Sequence, residues 1–180
     1  MSVDVESNTP RSASAGSIDP DTGRADFEAI VAPLMPALLA YFVRRVIPKH
    51  ESADCLSETL IVLWRSRRTM PQGESDYRAW AFGVAHNILL NHRRGYVRRA
   101  NLADRVRDEI QVQGQQTVSE EKTELVNALA GLPGKQRELV QLIVWDGFGV
   151  AEAGALLGLR ANAARAAYAR AKKKLRETLT

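Results

Sequence analysis

Large apolar residues return every third or fourth position through most of this chain, the spacing of helices that bury one face. Leu34, Leu38 and Phe42 stand at i, i+4 and i+8, with Leu39 and Val46 beside them. Pro36 suits the first turn of that helix, where its missing N–H costs nothing, and Pro48 ends it. A second helix is expected over about 52–66, burying Leu56, Leu60, Leu63 and Trp64. Leu60–Leu63 could form a short strand, but no second strand-like run is present to pair with it. Pro71 and Gly73 make residues 67–76 a loop. Ser75 can cap a third helix, with Tyr77, Trp80, Ala81, Val84 and Ile88 as its apolar stripe.

Beyond residue 100 the periodicity fades into a segment rich in Gln and Asp, a linker composition. Thr117-Val118-Ser119-Glu120 fits a capping box and restarts helix. Leu125, Ala128, Leu129 and Leu132 then form an apolar face that Gly131 and Pro133 stop. A helix over 133–145 turns Leu139, Leu142 and Ile143 inward and ends at Gly147. A short helix near 150–157 and a long one near 162–179 complete the chain. Residues 1–25, rich in Ser, Asp, Gly and Pro, cannot bury enough surface to offset the entropy of ordering. The fold class expected is all-α, with two small helical domains of three and four helices. The divisions are a disordered tail 1–25, a domain 26–97, a flexible acidic, Gln-rich linker 98–118 and a domain 119–180.

Composition changes this picture little until it is resolved along the chain. Of 180 residues, 25 are Lys or Arg and 21 Asp or Glu, a net charge of +4. By segment the net is −2 over 1–25, +4 over 26–100, −3 over 101–125 and +5 over 126–180. Two basic blocks separated by an acidic one suit two contacts with a polyanion, although solvated surface would read the same way. A lone Cys55 excludes an internal disulfide framework and a multi-cysteine zinc site. The apolar run 29–43 is broken by Pro33 and Pro36 and falls short of the roughly 20 residues a membrane span needs. It lies behind a polar N-terminus, so a signal peptide is not expected. A cytoplasmic location without membrane insertion is the expectation.

The last two helices carry the sharpest local signal. A helix-turn-helix needs a small residue where its helices touch and a Gly four positions on to make the turn. Gly154 and Gly158 have that spacing, and Ala153, Leu157 and Leu159 flank them. In the last helix Ala164, Tyr168, Ala171, Leu175 and Leu179 share an inward stripe. Residues 160–176 contain seven basic groups and no acidic one. Such a face suits the major groove, with polar N-terminal residues toward base edges and later basic ones toward phosphates. The bland alternative is an Ala-rich amphipathic helix with a solvated basic face, but turn glycines have no purpose in a lone surface helix.

Two stretches together resemble the extracytoplasmic-function (ECF) sigma factors of bacterial RNA polymerase, a two-domain group of the sigma-70 family. The first is Asp54-Cys55-Leu56-Ser57-Glu58-Thr59-Leu60 through Trp64-Arg65, then Tyr77-Arg78-Ala79-Trp80-Ala81-Phe82-Gly83-Val84-Ala85-His86-Asn87 and Asn91-His92-Arg93-Arg94. The second is Ala128-Leu129-Ala130-Gly131-Leu132-Pro133 with Gln136-Arg137-Glu138, then the helix-turn-helix ending Arg170-Ala171-Lys172-Lys173-Lys174-Leu175-Arg176. Either half alone is moderate evidence; their order around a polar linker is specific. Ser57 stands where the family usually has Gln, and Arg160, Asn162 and Ala163 replace its usual Pro-x-Gly-Thr/Ser start of the recognition helix.

The resemblance implies a non-enzymatic subunit without cofactor. It would bind core polymerase, recognise −35 and −10 promoter elements and open DNA near the start site. Asp54, Leu56, Glu58 and Leu60 would dock on the clamp helices of the beta-prime subunit, and the second domain would meet the beta flap. Arg67, Arg68, Arg78, His86, Asn87, Arg93 and Arg94 would hold the −10 element. Taking a base out of the stack there costs a few kcal/mol. Tyr77 and Trp80 could stack on freed bases, but their stripe position favours core packing. Arg160, Asn162, Arg165, Ala166, Arg170 and Lys173 would read the −35 element, and Asn162 can cap the helix or contact a base. An anti-sigma partner is a further implication. The rivals are a stand-alone helix-turn-helix regulator and a sigma-like interaction protein that does not use DNA. No metal site is expected: His86 and His92 are six apart and do not share a helix face, and Cys55 and His50 have no third ligand.

Overall fold

The structure, a computed structural model, describes residues 20–71, 73–106 and 120–179. Its α-helices are α1 (Pro20–Val31), α2 (Met35–Val43), α3 (Ser52–Arg65), α4 (Glu74–Val106), α5 (Glu120–Ala130), α6 (Gly134–Val144), α7 (Val150–Leu156) and α8 (Ala161–Thr178). Short 3₁₀ turns occupy Ala32–Leu34, Lys49–Glu51 and Arg67–Thr69, and no strand occurs among the described residues. The chain divides into two compact units, Met1–Pro33 and Leu34–Thr180.

In the first unit α1 starts earlier than the sequence suggests. Pro20 opens it, a position that tolerates a missing N–H, so residues 20–25 of the expected disordered tail are helical. Arg24 Nε and Glu28 Oε1 pair at 2.8 Å one turn apart. The rest of that tail lies outside the described residues. By length and composition Arg24–Val43 could cross a membrane, longer than the run from residue 29 had implied. The 3₁₀ turn at Ala32–Leu34 interrupts it, and Leu38, Tyr41 and Phe42 on α2 are fully buried.

In the second unit α2, α3 and α4 form a three-helix group. Leu38, Tyr41, Phe42, Leu63, Phe82 and Leu89 are its fully buried large side chains. Each contributes about 1.5–3 kcal/mol relative to exposure. Tyr41 meets Phe42 and Phe82 edge-on, with centroids 5.3 and 5.6 Å away. The buried row of α3 is Ser52, Cys55, Thr59 and Leu63. Small residues let α3 approach its neighbours closely, so Leu56, Leu60 and Trp64, expected inside, flank the contact half-buried. The face of α4 is likewise rotated from expectation. Ala81, Phe82, Ala85, Ile88 and Leu89 are buried, whereas Tyr77, Trp80 and Val84 are only half-buried.

α4 continues to Val106, into the expected linker. Between Gly95 and Val106 no Gly or Pro interrupts it, and Ala, Leu and Arg are strong helix formers. The rest of the linker, with the predicted cap at Thr117–Ser119, lies outside the described residues.

α5 to α8 form a four-helix group. Leu129, Leu132, Val140 and Ala171 make a buried cluster with Tyr168 and Leu175 against it. Ala164, Ala167 and Ala171 line the inner face of α8, while Leu125 and Leu179, expected inside, are exposed. The two groups meet within this unit, where Phe82 and Phe148 pack edge-on at 5.0 Å.

Candidate nucleic-acid interface

The turn between α7 and α8 follows from two glycines. Gly158 adopts φ +67°, the left-handed region that glycine enters without penalty. Gly154 faces α8 so closely that a Cβ there would overlap the Cβ of Ala164. Leu159 N–H donates to the Gly154 carbonyl at 2.8 Å and closes the turn. At the start of α7 the Gly149 N–H donates to Glu152 Oε2 at 2.8 Å, which satisfies one free helix-end donor. With Ala164, Ala167 and Ala171 turned inward, Arg160, Asn162, Arg165, Ala166, Arg170 and Lys173 are all exposed. Arg160, not Asn162, occupies the N-cap, and no side chain caps the helix. Asn162 Oδ1 instead accepts from Arg165 Nη1 at 3.0 Å. Lys173 Nζ lies 3.8 Å from Glu177 Oε1.

The residues expected at the −10 element divide into two sets. Arg68, Asn87 and Arg94 are exposed. Arg67 lies 3.8 Å over the Trp64 ring and donates to the Trp64 carbonyl at 2.9 Å, which orients its guanidinium beside the 3₁₀ turn. Arg78 and Arg93 instead meet the second helical group, and His86 meets Tyr41 of the first. Arg78 donates to the Asp146 carbonyl and stacks 4.2 Å from the Phe148 ring. Arg93 Nη1 lies 3.6 Å from Glu138 Oε2. His86 Nδ1 lies 3.2 Å from the Tyr41 hydroxyl, which donates to Glu138 Oε1 at 3.5 Å. Burial holds His86 below the ordinary histidine range despite the nearby Glu138 carboxylate. Burial, reinforced by Glu138, raises the Tyr41 phenol far above its usual range.

On α3, Asp54 and Glu58 are exposed one turn apart, and Leu56 and Leu60 are half-buried. Ile61 is half-exposed on the same acidic side; in the sequence it has the look of a core residue, and nothing there marks it as a surface group. Cys55, between them in sequence, points inward; burial pushes its thiol up to about 11. Among the described residues no three His, Cys, Asp or Glu side chains converge as a metal-ligand set.

The feature that sequence reasoning missed is a buried charge cluster centred on Arg45. Arg45 Nε pairs with Glu138 Oε1 at 2.6 Å, and its Nη2 pairs with Asp146 Oδ2 at 2.6 Å. Arg44 Nη2 reaches Asp146 Oδ1 at 2.5 Å. The partners are about a hundred residues apart along the chain, and an arginine in the turn after an apolar helix gives no local sign of a distant carboxylate.

Comparison with known proteins agrees with this architecture. The family model described as Sigma-70 region 2 matches residues 30–99, and that described as Sigma-70, region 4 matches residues 122–175. The ECF RNA polymerase sigma factor SigF of Caulobacter vibrioides is 34% identical over 168 residues, covering 90% of this chain and 89% of its own. The sigma factor RpoE of Bartonella quintana, solved in complex with the anti-sigma factor NepR, superposes with a TM-score of 0.67 at 26% identity, covering 86% of this chain and 96% of its own. CnrH, solved with the cytosolic domain of CnrY, shares the fold, with a TM-score of 0.62 at 24% identity over 87% of this chain and 88% of its own.

Proposed function

Because this chain belongs to the ECF sigma factors of the sigma-70 family, we propose that it recognises −35 and −10 promoter elements and promotes local DNA melting as a transcription-initiation sigma factor. The observation that carries the reading is the helix-turn-helix: Gly154 against Ala164 sets the angle of α8, and its outer face leaves Arg165, Ala166, Arg170 and Lys173 exposed. An exposed row of guanidinium and ammonium groups supplies the phosphate contacts that dominate affinity, and an arginine reaching a guanine edge adds specificity. Arg160 and Asn162 lead the row into the groove.

Asp54, Leu56, Glu58 and Leu60 dock on the beta-prime clamp helices of core polymerase, with Ile61 adding apolar contact. Arg67, Arg68, Arg78, His86, Asn87, Arg93 and Arg94 hold the −10 element. Residues 26–97 and 119–180 are the two working domains, and 98–118 links them. The protein acts in the cytoplasm without catalysis of its own. It takes an anti-sigma partner, as RpoE of Bartonella quintana does.

Run-off transcription of a genomic fragment library by core polymerase tests the reading. Discrete start sites that depend on this protein are expected; their absence with every fragment refutes it. Glu58→Lys separates a sigma subunit from a stand-alone regulator. The substitution should abolish capture of core polymerase while leaving duplex binding by the free protein intact.

A further inference from the structure

We propose that the cavity beside the end of α2 and the α5–α6 pair is a binding site for a small phosphate monoester with an apolar or aromatic body. The cavity measures about 730 Å³, within the roughly 300–1,000 Å³ usual for small-molecule sites. The guanidinium groups of Arg44, Arg45, Arg93 and Arg137 line it, together with the Glu138 carboxylate. Asp146, paired with Arg44 and Arg45, adds a second counter-charge. Four cations against two carboxylates leave two positive charges uncompensated. A phosphate monoester carries about −1.5 to −2 near neutrality and matches that surplus. The site does not depend on promoter recognition, and the outer face of α8 takes no part in it.

The four cations are not equally engaged. Arg45 gives Nε to Glu138 and Nη2 to Asp146, each at 2.6 Å. Arg44 gives Nη2 to Asp146 and lies 5.9 Å over the Trp145 ring. Arg93 Nη1 stands 3.6 Å from Glu138 Oε2, beyond hydrogen-bond length. Arg137 donates Nη2 to the carbonyls of Ala130 and Leu132, at 2.7 and 3.1 Å, and its Nε is buried with no partner among the described residues. Arg93 and Arg137 therefore keep donor capacity for a phosphate, the anion that guanidinium groups bind most specifically. The apolar half of the site is equally visible. Ile47, Val126 and Trp145 line the same cavity, and all three are exposed large apolar side chains. Covering them with a ring or chain removes apolar surface from water, and the indole of Trp145 offers a face for stacking. Gln141 completes the wall as an uncharged, half-buried amide.

The test is equilibrium dialysis of the full chain against 2-naphthyl phosphate near neutral pH and at low salt. A single saturable site should bind it about tenfold or more tightly than 2-naphthol, which lacks the charge, or inorganic phosphate, which lacks the ring. 2-Naphthoate, with one charge, should bind less tightly than the phosphate. Gln141→Glu sets a carboxylate in the wall and should lower affinity by about tenfold or more, whereas Gln141→Met should retain it. Arg93→Gln should weaken binding severalfold, and Arg165→Ala on the outer face of α8 should leave it unchanged. Native helicity is checked for each variant, and Arg93→Gln keeps the cavity testable if Gln141→Glu fails to fold. Equal affinity for 2-naphthol overturns the anionic half of the site, and equal affinity for inorganic phosphate overturns the apolar half. Equal affinity for 2-naphthoate overturns the phosphate assignment. Binding that survives both Gln141→Glu and Arg93→Gln lies elsewhere and overturns the cavity, as does an absence of binding up to millimolar ligand.

Discussion

Gly154 and Ala164 touch at the crossing of α7 and α8, and the approach leaves no room for a side chain at 154. Gly154→Val must push the recognition helix outward or strain the turn. Overpacking of this kind costs about 1–3 kcal/mol, occasionally more. Gly134→Ala is the contrast: nothing lies within 4 Å of a Cβ there. At that helical position the change should be neutral or stabilising by up to about 1 kcal/mol. Urea unfolding followed by circular dichroism measures both, and equal effects would contradict the packing described.

The helix-turn-helix was legible because its determinants are local. Gly154, Gly158 and the alanines of α8 lie within eighteen residues, and their spacing maps directly onto one turn and one face. The stripe of α4 was harder. Its sequence allows two overlapping apolar faces, one through Tyr77, Trp80 and Val84 and one through Phe82, Ala85 and Leu89. Only packing against α3, α2 and the second helical group selects the latter. On α3 the rule that leucines point inward misled, because Cys55 and Thr59 pack closer than Leu56 and Leu60 could. Arg45 and Glu138 could not have been paired at all, since neither carries a local mark of its partner.

The 3₁₀ turn before α3 is tied to α4 by a charged contact. Glu51 Oε2 meets His92 Nε2, and Arg99 Nη2 lies 3.4 Å from the same oxygen. The hydrogen bond to His92 is the main cause that lowers the Glu51 carboxyl below its ordinary value of 4.5. A lowered carboxylate binds its proton more weakly folded than unfolded. Its contribution is therefore complete above 4.5 and is lost as pH falls through the lower folded value. Thermal melting should show Glu51→Gln less stable than the parent near neutrality, with the two curves converging in acid. A gap that widens on acidification would contradict the assignment.

Cys55 should be inert while the protein is folded. Only the thiolate attacks a disulfide reagent, and burial, followed by the charges of Glu58, Glu51 and Asp54, pushes this thiol up to about 11. The side chain is also 3% exposed. At pH 8 reaction with an aromatic disulfide reagent should be slower than in urea by about a hundredfold or more, from the thiolate fraction alone. Rapid stoichiometric labelling of the native protein would place Cys55 at the surface.

Arg165 and Arg170 lie on the exposed side of α8, but their surroundings differ. Arg165 is held by Asn162 Oδ1 at 3.0 Å, which fixes its guanidinium near the helix start, where side chains reach base edges. Arg170 is more than a turn further on, toward the phosphates. On duplexes carrying start-site-mapped promoters, Arg165→Ala should cost about 1–3 kcal/mol and relax preference at one base pair, as expected when a bidentate base pairing is removed. Arg170→Ala should weaken all duplexes alike and reduce the salt slope by about 0.9 for each phosphate it no longer neutralises. Asn162→Ala frees the Arg165 guanidinium and should lose part of its base preference with little change in salt slope. Anisotropy titrations at several salt concentrations separate these cases. If Arg165→Ala instead lowers the salt slope and leaves base preference intact, Arg165 pairs with a phosphate and the reading position lies elsewhere on α8.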